Sequence, residues 1–104
     1  MYNVADRSAE ELLNYSDREG IGFIPWFPLG GRHLASPESA VRQIADRVGA
    51  TPGQVALAWL LQRSPVMLPI PGTGSIAHLE ENCASIAIHL DSEAIAELDA
   101  LATP

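Results

Sequence analysis

Lysine is absent from the 104-residue sequence, and all six of its basic residues are arginine. Thirteen acidic residues oppose these six, which gives a formal net charge of −7. Such a surface repels a phosphate backbone on average, so we expect no nucleic-acid partner. One small anion stays compatible with this charge, because local hydrogen-bond donors can outweigh the net charge.

Cysteine and long apolar runs are also scarce. Cys83 is the only cysteine, so an intramolecular disulfide is impossible, and we interpret Cys83 as a buried helix residue. The histidines and Cys83 lack metal-ligand spacing, which predicts no metal site. No apolar run reaches the ~20 residues of a membrane span, and the first residues lack the basic and apolar regions of a signal peptide. We therefore expect a cytoplasmic protein without a membrane partner.

The chain is long enough for one small domain, and 47% of its residues are hydrophobic, which is typical of a folded protein. We expect a single domain over residues 1–104. Five stretches have helix start signals, such as a capping box at Ser8–Glu11 or a proline after Thr51. These signals predict helices over 8–19, over 36–48, from Thr51 through an all-apolar run, over about 75–86, and after Asp91.

Two short apolar runs, 22–28 and 66–70, predict strands that are buried on both faces. The predicted order is α-β-α-α-β-α-α, an α/β fold that is mostly helical with two parallel strands. Two parallel strands make a poor sheet, because each keeps an unpaired edge. We therefore expect a slice of a larger fold. Unless something covers them, its exposed apolar side chains would be Phe23, Ile24, Trp26, Val66, Leu68 and Ile70.

The turn between the second apolar run and the next helix has the composition of an anion site. Gly72 and Gly74 allow close approach of the backbone, and Thr73 and Ser75 carry hydroxyl donors. The first-turn amides of the following helix have partial positive charge. The sequence therefore predicts that an anion docks at this helix start.

Three blocks of the sequence together resemble the C-terminal third of the aldo-keto reductases. They are YNVADRSAEELL at 2–13, GIGFIPWFPLGGR at 20–32 and TPGQVALAWLLQRSPVMLPIPGTGSIAHLEEN at 51–82. The resemblance implies an eight-stranded β/α barrel that reduces carbonyls with NADPH. It places the two apolar runs as the seventh and eighth strands of a partial TIM (β/α)8 barrel, whose phosphate site follows those strands.

The resemblance also implies which residues hold the cofactor. The family's cofactor is NADPH, so we expect NADP(H). Many family members have a lysine at the place of Gly72 and an arginine at the place of His78, and this chain has neither, so NAD(H) is the alternative. The implied contacts are Trp26 to the nicotinamide ring, Leu29, Gly30 and Gly31 to the pyrophosphate, Gly72, Thr73, Gly74 and His78 to the 2′-phosphate, and Glu81 and Asn82 to the adenine.

Catalysis in this family implies an aspartate, a tyrosine, a lysine and a histidine, and this sequence has no lysine. We assign no catalytic residue here and predict that the chain alone does not reduce carbonyls. Three hypotheses follow. The chain is a truncated oxidoreductase that needs a missing N-terminal portion, a nucleotide-binding module without chemistry, or a domain that covers its exposed strands by oligomerising.

Overall fold

The computed structural model describes residues 2–25 and 39–101, and regular structure within these ranges is helical. The helices are α1 (Glu10–Glu19), α2 (Ala40–Val48), α3 (Pro52–Arg63), α4 (Ile76–Ala84) and α5 (Ser92–Asp99). A single 3₁₀ turn, Ser85–Ala87, follows α4. None of the helices in these ranges is long and apolar enough to cross a membrane.

Most helix ends follow their local sequence signals. Thr51 and Gln54 form the predicted capping box, with both reciprocal hydrogen bonds present. Ser75 and Asp91 are N-caps whose side-chain oxygens accept from the amides of the third helical residue. The predicted box at Ser8 is wrong, because Ser8 Oγ donates instead to Asp6 Oδ1 (2.7 Å) and Ala9 precedes the helix. α2 begins after Ser39, while the predicted start at 36 lies outside the described residues.

Gly20 and Gly49 end α1 and α2 with backbone φ angles of 70° and 72°. This left-handed conformation lets the C-cap amide return to helix carbonyls without the steric penalty of a Cβ. Both glycines therefore act as stop signals.

The predicted pair of parallel strands is wrong. Within the described residues there is no strand, and the two runs meet at a single isolated parallel bridge between Phe23 and Met67. Two hydrogen bonds make it, from Phe23 N to the Val66 oxygen and from Leu68 N to the Phe23 oxygen, both 2.8 Å. The physical reason is that a stable sheet needs repeated pairing with neighbouring strands, and in the part of the chain that the structure describes neither run pairs with a second neighbour.

The core is built around α3, which is buried over Val55–Leu60. Trp59 lies at its centre: the Tyr2 ring stacks on it with centroids 5.9 Å apart, and Trp59 Nε1 donates to Asp99 Oδ1 at 3.0 Å. The Arg7 guanidinium covers the indole at 4.5 Å. An all-apolar helix that is buried on several faces matches the sequence prediction.

One face of the extended segments is left uncovered. Ile24, Leu68 and Ile70 are 59%, 53% and 63% exposed, whereas Met67, the residue before Leu68, is 4% exposed. Successive side chains of an extended chain point to opposite sides. Met67 therefore packs into the core, while Leu68 and Ile70 remain largely open to solvent.

Candidate functional site

The turn between the extended segment and α4 is organised by its own hydroxyl groups. Thr73 Oγ1 accepts a hydrogen bond from Ser75 N (3.1 Å) and donates to the Ser75 oxygen (3.3 Å). Ser75 Oγ accepts from His78 N at 3.3 Å and caps the helix. The turn and the first turn of α4 are exposed to solvent. The hydroxyls therefore fix the entry of the chain into α4 and leave its N-terminal end accessible.

Two donors at the start of α4 are available. Within the described residues, the amides of Ile76 and Ala77 have no protein acceptor, while the amides of His78 and Leu79 bond to Ser75. The first amides of any helix lack partners inside the helix, and their dipoles favour negative charge. The N-terminus of α4 can therefore accept an anionic group.

Gly72 and Gly74 have open space beside them, since a Cβ built at either position meets no atom within 4 Å. Neither is among the described glycines with positive φ, which are Gly20 and Gly49. Their contribution is therefore the absence of a side chain at an accessible surface rather than an unusual backbone conformation.

A hollow of about 250 Å³ lies between the N-terminal end of α3, the turn at 72–73 and one side of α4. Gln54 Nε2 donates to the Glu81 main-chain oxygen at 2.9 Å and ties the two helices together at this point. The hollow brings together five residues that the resemblance implies for the adenosine end of a cofactor. Its described lining is Thr51, Gly53, Gly72, Thr73, His78, Glu81 and Asn82.

The other implied residues are placed differently. Gly74 lies in the same exposed turn but is not among the described lining residues of the hollow. Trp26, Leu29, Gly30 and Gly31 lie outside the described residues. The geometry therefore bears on the adenosine end of the predicted site alone.

The hollow has little positive charge. His78 is the single basic residue among its described lining, and Glu81 is the single acidic one. Its other polar groups are the hydroxyls of Thr51 and Thr73 and the amide of Asn82. The polar side chains that an anion would meet in this hollow are thus hydroxyls, an amide and one imidazole, while the amides of Ile76 and Ala77 lie outside its described lining.

A second, apolar hollow of about 520 Å³ adjoins the first and shares Asn82 with it. Cys83 is exposed and lines this hollow, so the prediction of a buried cysteine is wrong. The hollow is open to solvent beside α4, which leaves the thiol exposed although residue 83 lies on an apolar side of the helix. Its remaining described lining is Leu57, Leu61, Met67, Leu68, Pro69, Ile70, Pro71, Leu79, Ser85 and Ile86.

Sequence reasoning missed a polar cluster at the far end of α3. The Tyr2 hydroxyl donates to Glu10, and Arg63 donates to the same carboxylate, with Nε at 2.9 Å. Arg63 also donates to Asn14 Oδ1 at 2.8 Å. The partners are up to 53 residues apart in sequence, and the early position of Glu10 in its helix was the one available signal.

The protonation of this cluster follows from its burial and charges. Burial, followed by the hydrogen bond to the Glu10 carboxylate, raises the pKa of Tyr2 above its ordinary value. Burial alone would raise the pKa of Glu10, but the hydrogen bonds from Tyr2 and Arg63 and the charge of Arg63 together lower it. Tyr2 is therefore a neutral donor and Glu10 an ionised acceptor at neutral pH.

Similarity to known proteins extends over the whole described part of the chain. The sequence pattern of the Aldo/keto reductase family matches residues 1–103. This chain belongs to the aldo/keto reductase family. It is 47% identical over 100 residues to pyridoxine 4-dehydrogenase of Escherichia coli, which is 96% of this chain and 35% of that protein. An uncharacterized oxidoreductase of Schizosaccharomyces pombe is 46% identical over 99 residues, 95% of this chain and 32% of that protein.

Solved structures give the same family fold. An aldo/keto reductase from Klebsiella pneumoniae, crystallised with NADP and acetate, matches with a TM-score of 0.86 and 32% identity over 97% of this chain. A structure from the same organism with NADPH matches with a TM-score of 0.85. The match covers 37% of each of those chains. The described helices are thus a fragment of an aldo-keto reductase barrel, and the chain spans about a third of the length of these relatives.

Proposed function

We propose that the hollow between α3 and α4 binds the adenosine end of NADP(H), and that this chain supplies the cofactor-binding portion of an aldo-keto reductase. The observation that carries the proposal is the position of Gly72, Thr73, His78, Glu81 and Asn82 around one hollow between α4 and the N-terminus of α3. Family relatives crystallised with NADPH or NADP support the choice of ligand.

The chemistry of the donor set fits a phosphate. The amides of Ile76 and Ala77 have no protein acceptor among the described residues, and Thr73 and His78, on either side of them in sequence, line the hollow. In this assignment Gly72, Thr73, Gly74 and His78 contact the 2′-phosphate, and Glu81 and Asn82 contact the adenine. Trp26 would lie against the nicotinamide, and Leu29, Gly30 and Gly31 would lie along the pyrophosphate.

The cofactor would supply hydride to a carbonyl, and the residues of this chain would hold its adenosine end. The resemblance implies a catalytic lysine, and this sequence contains none. We therefore assign this chain binding without catalysis, and carbonyl reduction requires residues from the rest of the barrel.

A charge substitution tests the assignment. Gly72→Glu adds a carboxylate at the rim of the hollow, and it causes no steric clash because nothing lies within 4 Å of a Cβ there. NADPH fluorescence titrated against the chain should change on binding, and Gly72→Glu should abolish that change while leaving the circular dichroism spectrum intact. Gln62→Glu, an equal charge change at an exposed position outside the described lining of the hollow, is the matched control.

The results separate the hypotheses. Equal titration curves for the parent chain and Gly72→Glu would overturn the site. Binding without oxidation of NADPH in the presence of an aldehyde supports the assignment of binding alone, whereas turnover by the 104-residue chain would overturn it.

We further propose that the chain corresponds to the C-terminal portion of its longer relatives as a single domain. In (β/α)8 barrels the phosphate site is commonly formed after the last strands, at the N-terminus of a short helix. The turn at 71–75 followed by the nine-residue α4 has this form. A chimera tests the placement: this chain replaces either the last or the first third of the Escherichia coli relative, and only the former should retain NADPH oxidation.

The uncovered apolar face supports a second candidate role, which is docking. Ile24, Leu68 and Ile70 together expose more apolar surface than single scattered residues do. We propose that the rest of the barrel covers this face, since the relatives are about three times as long. Light scattering should give a larger mass for the isolated chain than for its Leu68→Lys, Ile70→Lys variant. A parent chain that is monomeric at all concentrations would contradict the proposal that this face docks against another protein surface.

A further inference from the structure

We propose that Gln54 is a positioning residue for the base of the cofactor: it holds the backbone of Glu81, and so keeps Glu81 and Asn82 aimed at the adenine. The inference rests on the proposed function and deepens it, because it concerns how the hollow selects the base. Gln54 is not among the described lining residues of the hollow, so it acts through Glu81 rather than on the ligand.

The orientation of the Gln54 amide is fixed by its two partners. Its oxygen accepts a hydrogen bond from Thr51 N at 3.0 Å, and its nitrogen donates to the Glu81 main-chain oxygen at 2.9 Å. A glutamine amide has one accepting end and one donating end. The reverse orientation would place two oxygens together at Glu81 and two N–H groups together at Thr51, so a single arrangement satisfies both helices.

Both partners of Gln54 are backbone groups that a helix leaves without a partner of its own. Thr51 is the N-cap of α3, and Glu81 is one of the last four residues of α4. The carbonyls of the last four residues have no amide within the helix to accept from. The first amide after α4 bonds to the oxygens of Asn82 and Cys83 instead. The Gln54 side chain therefore supplies the donor that the Glu81 oxygen lacks.

Few directional contacts hold α4 in position within the part of the chain that the structure describes. None of the residues of α4 is buried, and Asn82 is its one half-buried residue. Among the described hydrogen bonds of α4, the one from Gln54 is the one that comes from another helix. No described ion pair involves α4. The bond from Gln54 is therefore the directional restraint on Glu81 and Asn82.

The side chains of Glu81 and Asn82 suit adenine by their chemistry. A carboxylate only accepts hydrogen bonds, whereas a carboxamide both donates and accepts them. Adenine presents an amino donor beside a ring-nitrogen acceptor, and these two side chains can pair with both. Hypoxanthine has a carbonyl oxygen in place of the amino group, so it would face the carboxylate with a second acceptor. Selection between the two bases therefore requires that both side chains are correctly aimed.

The test is a calorimetric titration of the 104-residue chain with NADP⁺ and, separately, with the NADP⁺ analogue in which hypoxanthine replaces adenine. The two ligands have the same phosphates, so the ratio of their dissociation constants reports on the base alone. The parent chain should prefer NADP⁺ by about tenfold, as expected for one well-aimed pair of hydrogen bonds to a base. Loss of the Gln54 donor should reduce this preference by about fivefold.

Two substitutions separate the two hydrogen bonds of Gln54. Gln54→Glu keeps an acceptor for Thr51 N and loses the donor to Glu81, and its added charge acts on two ligands with the same phosphates. Gln54→Met loses both bonds at a similar side-chain length. The base preference should fall in both variants, with circular dichroism as the check that each is folded. Gln62→Met, at an exposed position of the same helix outside the described lining of the hollow, should behave like the parent chain.

A base preference that survives in both Gln54 variants would overturn the inference and leave the proposed function standing. The same holds for a preference that falls in Gln54→Met alone, because the cap of α3 would then be what matters. If Gln54→Met does not fold, Gln54→Glu alone decides. A parent chain that binds the two ligands equally would overturn the selection of the base and leave cofactor binding in place. If neither ligand binds to the parent chain, the inference and the proposed function are both overturned.

Discussion

Gln54 in α3 donates a hydrogen bond from Nε2 to the main-chain oxygen of Glu81 in α4, across 2.9 Å. The other end of the same amide, Oε1, accepts from Thr51 N at 3.0 Å and completes the capping box of α3. One side chain therefore both begins α3 and holds α4 beside it. The hollow with His78 and Asn82 lies at this junction.

Separating the two hydrogen bonds of Gln54 gives the first prediction. Gln54→Glu keeps an acceptor for Thr51 N but loses the donor to Glu81, whereas Gln54→Ala loses both. Hydrogen exchange should speed up in α4 alone for Gln54→Glu, by about fivefold, since such a bond contributes about 1 kcal/mol. Gln54→Ala should loosen the start of α3 as well. Unchanged exchange of α4 amides in both variants would show that the contact does not restrain α4.

The polar cluster of Tyr2, Glu10 and Arg63 gives a prediction about acid. The hydrogen bonds from Tyr2 and Arg63 and the charge of Arg63 hold the pKa of Glu10 below its ordinary value in the folded chain. A carboxyl group whose pKa is lower in the folded chain than in the unfolded chain stabilises the folded state. The full stabilisation is present at pH values above the pKa of the unfolded chain, and it is lost as the pH falls through the pKa of the folded chain. Urea unfolding should therefore show the parent chain more stable than Glu10→Gln at pH 7, with the difference shrinking toward pH 3.

Two controls accompany the acid prediction. Glu11→Gln removes a neighbouring carboxylate that is exposed, so it should change the unfolding free energy little at either pH. Tyr2→Phe removes the hydroxyl and keeps the ring that stacks on Trp59, so it should lower stability at pH 7. A difference between parent and Glu10→Gln that is constant from pH 7 to pH 3 would contradict the role of the ionised carboxylate.

Helix boundaries were the part of the fold that local residues could predict. Thr51, Ser75 and Asp91 cap helices with their own side chains, and Gly20 and Gly49 stop them with a left-handed backbone. Each of these contacts spans at most a few residues, so the sequence contains all of its partners. The capping box predicted at Ser8 does not form, because the Ser8 hydroxyl donates instead to the carboxylate of Asp6, two residues earlier.

Strands and long-range polar contacts could not be predicted in the same way. Phe23 and Met67 lie in runs with the composition of strands, but composition does not provide neighbouring strands, and these two runs form a single bridge. Arg63 reaches Glu10 over 53 residues of sequence, and nothing local marks that pairing. At the candidate site, Gly72 and Asn82 were predictable as a pair through the family resemblance, not through spacing.

Met67 and Leu68 are adjacent but have opposite environments, which gives a matched pair of substitutions. Met67→Ala should cost about 2–4 kcal/mol, because the side chain is 4% exposed and packs on the core. Leu68→Ala should cost no more than about 0.5 kcal/mol, because the side chain is 53% exposed. Thermal and urea unfolding measure both. Equal costs would mean that Leu68 is covered in solution, either by a rearranged segment or by a second copy.

Exposure of Cys83 on the apolar side of α4 gives the last prediction. Its thiol lines the 520 Å³ hollow and is open to solvent, so a thiol reagent needs no unfolding step to reach it. An aromatic disulfide should label the native chain at a rate comparable with that of the urea-unfolded chain, and Cys83→Ser should not react. Assembly with the rest of a barrel would cover this hollow and slow the labelling. Slow labelling of the isolated chain, accelerated by mild urea, would mean that a segment already packs over α4.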